Sequence, residues 1–529
     1  MMFRKAATAL MMCSIAMAPT LPAAAEPMPR LERREDRTML LVNGKPFFVL
    51  AAQLHNSSAW PALLPQAWQA AEALAPNTIE APVYWEQFEP QQGRFDTTSI
   101  DALIAKARET DKRLILLWFG TWKNGQMHYV PEWMKTDTVR YPRTIDARGQ
   151  ATDVMSPHAP ANLSADRAAY GALMRHLKKV DDDRHTVIMV QVENEPGAIG
   201  AVRDHGSAAE AAFGGPVPAE VTSRLGKTSG TWRDIFGADA DEAFNAWATA
   251  AYIEKVAAAG KAIYPLPAYV NVWMQYKGFS RPGGDYPSGG ATWNMFDLWR
   301  SLTPSVDFIG TDVYTTDAAE YRKVLGQYAR SDNPSWVSET GFDAKIAPYL
   351  FYVLDHGGIG FSVFGIDDPP GPVTDAAAAA HRTNFALIDP IRELIAQGGF
   401  EKRLQAVVEE PGQARQKIAL ADDWSVDIAF GPPPWGDTPA IVSHSPDQTG
   451  RAFVLAMDDG TWLVSGVDVR LEFKRASRDG RRGQLLKVEE GRFVNGNWQV
   501  ARWLNGDETD FGLNLGHVPR LLRVRAGPL

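Results

Sequence analysis

The sequence predicts an α/β protein: a (β/α)8 TIM barrel followed by a smaller antiparallel, sandwich-like β domain. From Lys45 to about Gly365, short β-branched or aromatic runs alternate with longer helical patterns, as βα units around a parallel sheet do. Beyond about Phe400 the chain changes to short alternating strands. Turns such as Asp458-Asp459-Gly460, Glu490-Gly491 and Asn495-Gly496-Asn497 separate them, which reads as antiparallel pairing.

Taken in order, the candidate strands are Phe47 to Gln53, Asn77 to Trp85, Arg113 to Trp118, Thr186 to Glu193, Ala268 to Trp273, Phe308 to Tyr314, Ser335 to Glu339 and Gly360 to Phe364. Eight is the number that closes a TIM barrel. Helix-length, partly amphipathic stretches separate them: Leu64 to Leu74, Ser99 to Thr110, Ala165 to Val180, Asp241 to Gly260, Met295 to Leu302, Ala318 to Ala329 and Ala344 to Asp355. A last helix is expected from Ala376 to near Gln397. Two strand-to-helix connections are long, Phe119 to Asn162 and Gly197 to about Ala240, and in this fold such connections build the site.

The N-terminus has a basic start at Arg4 and Lys5, an apolar stretch from Ala6 to Met17, and small residues Ala23-Ala24-Ala25 before Glu26. That reads as a cleaved secretory signal over residues 1–25, giving an exported, periplasmic or secreted protein with no membrane insertion. The single cysteine, Cys13, lies inside this segment and follows Met12, which suits a lipidation site poorly. The mature chain then has no thiol chemistry and no disulfides. The formal charge of -9 argues against a nucleic-acid partner. The barrel is expected over 26–398 and the β domain over 399–529.

The stretch Val187 to Gly200, VIMVQVENEPGAIG, ends a buried-looking strand in Glu193-Asn194-Glu195-Pro196-Gly197. A fourth barrel strand ending there puts these groups at the C-terminal rim, where sites of this fold are built. The seventh strand ends in a carboxylate too, Glu339, and strands four and seven face each other across a closed ring. Opposed carboxyls are what glycoside hydrolysis needs: one protonates the departing oxygen, the other attacks the anomeric carbon or activates water. Burial and a neighbouring negative charge both raise the pKa of the acid. Asn194 offers an amide to a sugar 2-hydroxyl, and Tyr314 is placed to donate its hydroxyl to Glu339 and favour the carboxylate. Glu193 competes with Glu195: in a regular strand both point to one side and Asn194 to the other, whereas a bulge would change which reaches the centre.

This constellation resembles the clan of retaining TIM-barrel glycosidases and, within it, glycoside hydrolase family 35, the β-galactosidases. The resemblance is carried by Val42-Asn43-Gly44-Lys45-Pro46-Phe47, by APNTIEAPVYWEQFEPQQGRFD (Ala75 to Asp96) and by QVENEPG (Gln191 to Gly197), and it covers roughly Leu40 to Phe364. It implies Glu195 as acid/base, Asn194 as the sugar-contacting amide and Glu339 as nucleophile. The chain departs from the commoner members at Pro82, Glu86, Phe88 and Pro196, which bears on substrate contacts more than on the catalytic pair. LLWFGTWKNGQMHYVPEWMK (Leu116 to Lys135) is similar to a bacterial branch with a β domain after the barrel, some members of which remove galactose from xyloglucan.

Among the 17 tryptophans, Trp85, Trp118, Trp122, Trp133 and Trp273 lie at or near strand ends, where a ring either stacks on a sugar face or packs in the core; for Trp122 the two readings stand level. Glu86 suits a sugar hydroxyl or a surface salt bridge equally, and His55 suits a structural role more than a catalytic one. Trp435, after Pro432-Pro433-Pro434, is either a sugar platform or a packed linker. No metal or other cofactor is expected. The run Asp181-Asp182-Asp183 precedes a strand and reads as a solvated turn, and Gly357-Gly358-Ile359-Gly360 enters a strand instead of leaving one, unlike a phosphate loop. The expectation is a retaining exo-β-galactosidase acting on terminal β-galactosyl residues of an oligosaccharide or plant polysaccharide. The alternatives are another β-glycosidase on the same scaffold (glucosidase, arabinosidase or endo-glycanase) and a non-catalytic glycan-binding protein. The oligomeric state stays open.

Overall fold

The computed structural model describes residues 26–367, 375–421, 423–431, 450–476, 481–494 and 496–529. The expected signal segment with Cys13, the Pro-rich stretch with Trp435, and Asn495 of one expected turn lie outside the described residues.

Eight parallel strands close into a barrel: β1 (Val49–Gln53), β2 (Thr78–Tyr84), β3 (Arg113–Phe119), β4 (Val187–Val192), β5 (Ala268–Trp273), β6 (Phe308–Val313), β7 (Trp336–Thr340) and β8 (Gly360–Phe364). Each neighbours the next in chain order, and β8 pairs with β1. The strands are buried almost throughout because helices cover the outside and side chains fill the inside, so they read as continuous apolar runs. Small residues make the closest approaches. A Cβ on Gly360 would stand 2.5 Å from Val49 Cβ and 2.6 Å from a ring carbon of Trp336. The register slips between Thr311 and Asp312 on β6 and again between Val337 and Thr340 on β7. Such irregularities at a barrel rim re-aim side chains, and both lie beside Asp312 and Glu339.

Three features differ from the sequence expectation. A three-stranded sheet (Arg30–Arg34, Arg37–Val42, Lys45–Pro46) precedes the barrel. It covers the N-terminal end: Arg33 donates to the carbonyls of Asp307 and Asp332, just ahead of β6 and β7. The expected final helix is broken into Asp375–Ile388, a tight turn Asp389–Ile391 and Arg392–Phe400, because Pro390 lacks the N–H an uninterrupted helix requires. The two long connections carry structure of their own: a hairpin (Arg143–Ile145 with Ala151–Met155) after β3, and short helices (Ser207–Phe213, Ala219–Arg224, Trp232–Phe236) after β4.

The C-terminal part packs a six-stranded antiparallel sheet on a four-stranded one around Val426, Ile428, Val454, Val464, Leu471 and Leu522. The six-stranded sheet also faces the barrel, and Leu404, Ala406, Phe453 and Leu455 belong to the same apolar core as the barrel helices. Polar ties line that contact: Ala406 N–H donates to Asp355 at 3.0 Å, Arg451 to Asn384 at 2.8 Å and Tyr352 to Glu410 at 3.0 Å.

Because the Gly360 site is closed by backbone-anchored atoms, Gly360→Ala is expected to lower stability by about 1–3 kcal/mol. Thermal unfolding of the variant beside the wild type measures it; an unchanged midpoint would show that β8 and β1 can move apart.

Candidate active site

Side chains from five strands converge at the C-terminal mouth. Glu195 follows β4, Asp312 lies on β6 and Glu339 on β7; all three are buried, and one carboxylate oxygen of each lies within 4.8 Å of the others. Two negative charges at that spacing repel by roughly 3 kcal/mol at an effective dielectric of about 20, so the trio holds protons at neutral pH. Burial, then the charges of Glu339 and Glu195, push Asp312 well above the carboxylate range. It therefore keeps its proton and shares a hydrogen bond with Glu195. Burial first and the Glu339 charge second push Glu195 up to about 7, partly offset by the nearby Lys123 cation and by hydrogen bonds from Asp312 and Asn124.

Neutral donors from the surrounding strands fix the geometry. Tyr314 donates its hydroxyl to Glu339 Oε1 through a very short bond, and Gln53 of β1 donates to Glu339 Oε2 at 2.7 Å. Asn124 donates to Glu195 Oε2 at 2.7 Å. Asn271 of β5 ties two members together: its Oδ1 accepts from Glu195 N–H at 2.8 Å while its amide donates to Asp312 Oδ2 at 2.7 Å. Ser338 donates to Asp312 Oδ1 at 2.8 Å. Among the described residues this trio is close enough to hold a cation, but these donors already serve five of its six oxygens, an arrangement suited to hydrogen-bonded carboxyls more than to a cation cage.

The strand end that carries Glu195 is not regular. Glu193 and Glu195 both take left-handed backbone conformations, φ +65° and +44°, and Gly197 follows at +137°. A Cβ on Gly197 would lie 2.7 Å from the Ser288 carbonyl, so glycine is required. The kink separates the two glutamates that a regular strand would align, so the irregular of the two alternatives is the one the structure shows. Glu193 turns outward, accepting from the Trp122 backbone N–H at 2.7 Å and abutting Asp166, while Glu195 faces the mouth. The segment is zipped to the loop after β3: Gly125 N–H donates to the Glu195 carbonyl at 3.0 Å and Asn194 N–H to the Trp122 carbonyl at 3.2 Å. Lys123, buried in that loop, donates to Asn194 Oδ1 at 3.0 Å, and the Asn194 Nδ2 has no partner among the described residues.

Of the residues singled out from sequence, Glu195, Asn194, Glu339 and Tyr314 therefore meet in one cluster, with Trp273 partly exposed beside Asp312 in the strand register. Others do not join it. Trp85 and Trp122 are buried: Trp85 donates to Glu89 at 2.8 Å, and Trp122 packs edge-on against Tyr252. Trp118 and Trp133 also pack, through Asp166 and the Glu89 carbonyl. Glu86 forms an exposed ion pair with Lys135 at 3.2 Å. His55 is held by its backbone N–H on Asp367 and its ring against Phe364. Asp181 is not a solvated turn residue: it is buried, accepts from Val187 N–H at 2.7 Å and pairs with Arg108 at 2.7 Å. The exposed rings on connections following the strands are instead Trp60, Phe95, Phe279, Trp293, Tyr314 and Phe342. Asp312, Asn271, Lys123, Asn124 and Gln53 were missed. Asp312 sits two residues before Tyr314 at an expected strand end, the one signal that pointed to it.

Known proteins resemble parts of this chain. A glycoside hydrolase 42 model, described as β-galactosidase, matches residues 69–264, which include Asn194 and Glu195 but end before Glu339. A domain of unknown function, DUF5597, matches residues 381–516. A β-galactosidase of Xanthomonas manihotis is 29% identical over 191 residues, 35% of this chain and 30% of that protein. Solved structures with a similar course include β-galactosidases from Rahnella sp. R3 (TM-score 0.47, 15% identity, 66% of this chain and 57% of that one) and Bacillus circulans sp. alkalophilus (TM-score 0.47, 11% identity, 90% and 99%). The chain is thus similar to β-galactosidases over part of its barrel; the matching model is of family 42, where the motifs resemble family 35.

Since Glu86 is engaged by Lys135 at the surface, Glu86→Gln is expected to change stability by less than about 1 kcal/mol and to leave substrate KM unaltered. Thermal unfolding and steady-state kinetics together check it, and a raised KM would return Glu86 to the sugar-binding set.

Proposed function

We propose that this protein is a retaining β-galactosidase that releases terminal β-galactosyl residues from an oligosaccharide or a plant polysaccharide such as xyloglucan, acting after export from the cytoplasm. The observation that carries the reading is the Glu195–Glu339 pair. One carboxylate oxygen of each lies within 4.8 Å of one on the other, a proximity that accords with the roughly 5–5.5 Å carboxyl separation of retaining enzymes. The resemblance of the motifs to family 35 and the match of a family 42 model both support this chemistry.

In this reading Glu339, oriented by Tyr314 and Gln53, attacks the anomeric carbon as Glu195 gives its proton to the glycosidic oxygen and the C–O bond breaks. The aglycone leaves, and Glu195, now a carboxylate, takes a proton from the water that cleaves the glycosyl ester. Asn194 presents its unpartnered Nδ2 to the sugar 2-hydroxyl, with Lys123 holding the Oδ1 so that the amide cannot turn round. The exposed rings of Trp60, Trp293 and Phe342 supply stacking faces for the sugar or its leaving group.

The test is nitrophenol release from the β-galactoside by the full chain, with glucoside and arabinoside controls. Galactoside turnover should exceed the controls and fall roughly 10³-fold or more in Glu339→Gln. Turnover chiefly on a control would change the sugar, and equal rates in wild type and variant would remove Glu339 from the mechanism. Glu195→Ala should slow the first step (kcat/KM) by roughly 10²–10⁴ for natural glycosides but spare that step for an activated aryl leaving group, which needs no acid, while hydrolysis of the glycosyl ester, which needs the base, slows for both.

The acid must be protonated at the first step, so kcat/KM should decline as pH rises through about 7. Lys123→Met removes a cation that lowers the Glu195 pKa and should therefore move this alkaline limb to higher pH. A limb that stays in place would exclude that coupling.

A further inference from the structure

Below the catalytic cluster the barrel interior holds polar side chains of which the proposed reaction uses Gln53 alone. Gln53 (β1), Glu80 (β2), Tyr269 (β5), Trp336 (β7) and Ser362 (β8) are all buried. Six of their atoms have no hydrogen-bond partner among the described residues: Gln53 Oε1, both Glu80 oxygens, the Tyr269 hydroxyl, Trp336 Nε1 and Ser362 Oγ. Buried polar atoms are nearly always paired, and six orphans together would erode most of a domain's stability margin.

These groups neighbour one another. Gln53 and Glu80 are register partners on β1 and β2. Ser362 stands beside Glu80, near enough to ease its charge but outside hydrogen-bonding geometry. The Tyr269 and Trp336 rings meet edge-on at 5.9 Å; Trp336 stands near enough to the Tyr269 hydroxyl to ease its charge but outside hydrogen-bonding geometry, and the hydroxyl feels the charge of Glu80. The group adjoins Glu339 through Gln53, whose Nε2 donates to Glu339 Oε2 at 2.7 Å while its Oε1 has no donor among the described residues.

We propose that these groups enclose an internal water site, and that Glu80 acts there as a positioning residue that donates through water to Gln53 Oε1 and so holds the Gln53 amide toward Glu339. The inference rests on the reading of Glu339 as nucleophile. A donor to Oε1 selects one of the two amide orientations; the other would set oxygen against a carboxylate oxygen. The charged or titratable groups that face Glu80 are Glu339 and Tyr269. Neither is a cation. Burial and the Glu339 charge accordingly drive Glu80 well above the carboxylate range, which leaves it the proton the relay requires.

Two variants and two readouts test this. Glu80→Gln keeps a donor and an acceptor without an ionisable proton and should retain kcat within about threefold, with an unchanged pH profile. Glu80→Leu keeps bulk but no donor. It should lower kcat roughly 10- to 100-fold with KM within about twofold, as expected for a displaced reacting group. Wild-type kcat in a folded Glu80→Leu, or an equal loss in both variants, would overturn the proposal. The second readout needs no turnover: isotope-edited infrared spectroscopy of the full chain should show a protonated-carboxyl band at neutral pH that Glu80→Gln removes. Absence of that band would also overturn the proposal, whatever the glycoside assays show. If Glu80→Leu does not fold, the infrared band and Gln53→Leu, expected to share the kcat loss, decide the matter. Inactivity of wild type on every glycoside with the band present would instead count against the catalytic reading.

Discussion

Three carboxyl groups buried within 4.8 Å of one another set the terms for the rest of the mouth. Such a cluster survives only if protons and neutral donors are distributed among its oxygens, because among the described residues no cation pairs directly with any member. The donors come from β1, the loop after β3, β5, the turn after β6, and β7. No single supersecondary unit can supply them all. A closed ring of eight parallel strands brings their C-terminal ends to one place, and in that sense the barrel is the device that makes the cluster tolerable.

The same constraint explains the strained turn after β4. Left regular, that strand would send Glu193 and Glu195 together into the centre and add a fourth carboxyl to a site already crowded with three. The left-handed conformations at both residues instead divide them. Glu193 is diverted to the Trp122 N–H and Asp166, where burial and that neighbouring carboxylate raise its pKa, and Glu195 alone reaches Asp312. The cost of φ values that non-glycine residues avoid is met by the bonds that zip this turn to Trp122 and Gly125.

What could be read from the sequence follows from periodicity. The eight strands were legible because strands buried on both faces read as unbroken apolar runs, and the change beyond Phe400 was legible because half-buried antiparallel strands alternate. Glu195, Glu339 and Tyr314 stood out as polar interruptions at strand ends. The second ring was not legible. Asn271 and Ser338 sit inside strands, where one polar residue looks like ordinary variation, and Gln53 ends a strand but is a neutral amide; the target of each lies on another strand. Tryptophans misled for a related reason: composition counts rings without saying which face is covered, and Trp85 and Trp122 turn both faces inward. The leading three-stranded sheet was overlooked because its strands are short and merge with the approach to β1.

The two ends of the barrel divide the work, and the C-terminal domain acts on the side where Glu339 is held. The sheet that follows the barrel packs on helix Leu350–Asp355, between β7 and β8, and on helix Asp375–Ile388, after β8. Its ties to Asp355 and Asn384 anchor backbone on both flanks, and Asn384 in turn donates to the Ala347 carbonyl on the connection leaving β7. At the opposite end, Arg33 of the leading sheet grips the carbonyls entering β6 and β7. The strands bearing Asp312 and Glu339 are thus braced below and β7 is braced behind, while their upper ends remain irregular in register. Irregularity at the rim aims the carboxyls, and rigidity elsewhere keeps them aimed: a group displaced by about 1 Å can forfeit two orders of magnitude in rate. The β domain therefore contributes to the site as a buttress, through continuous apolar packing, and among the described residues none of its side chains joins the carboxyl cluster.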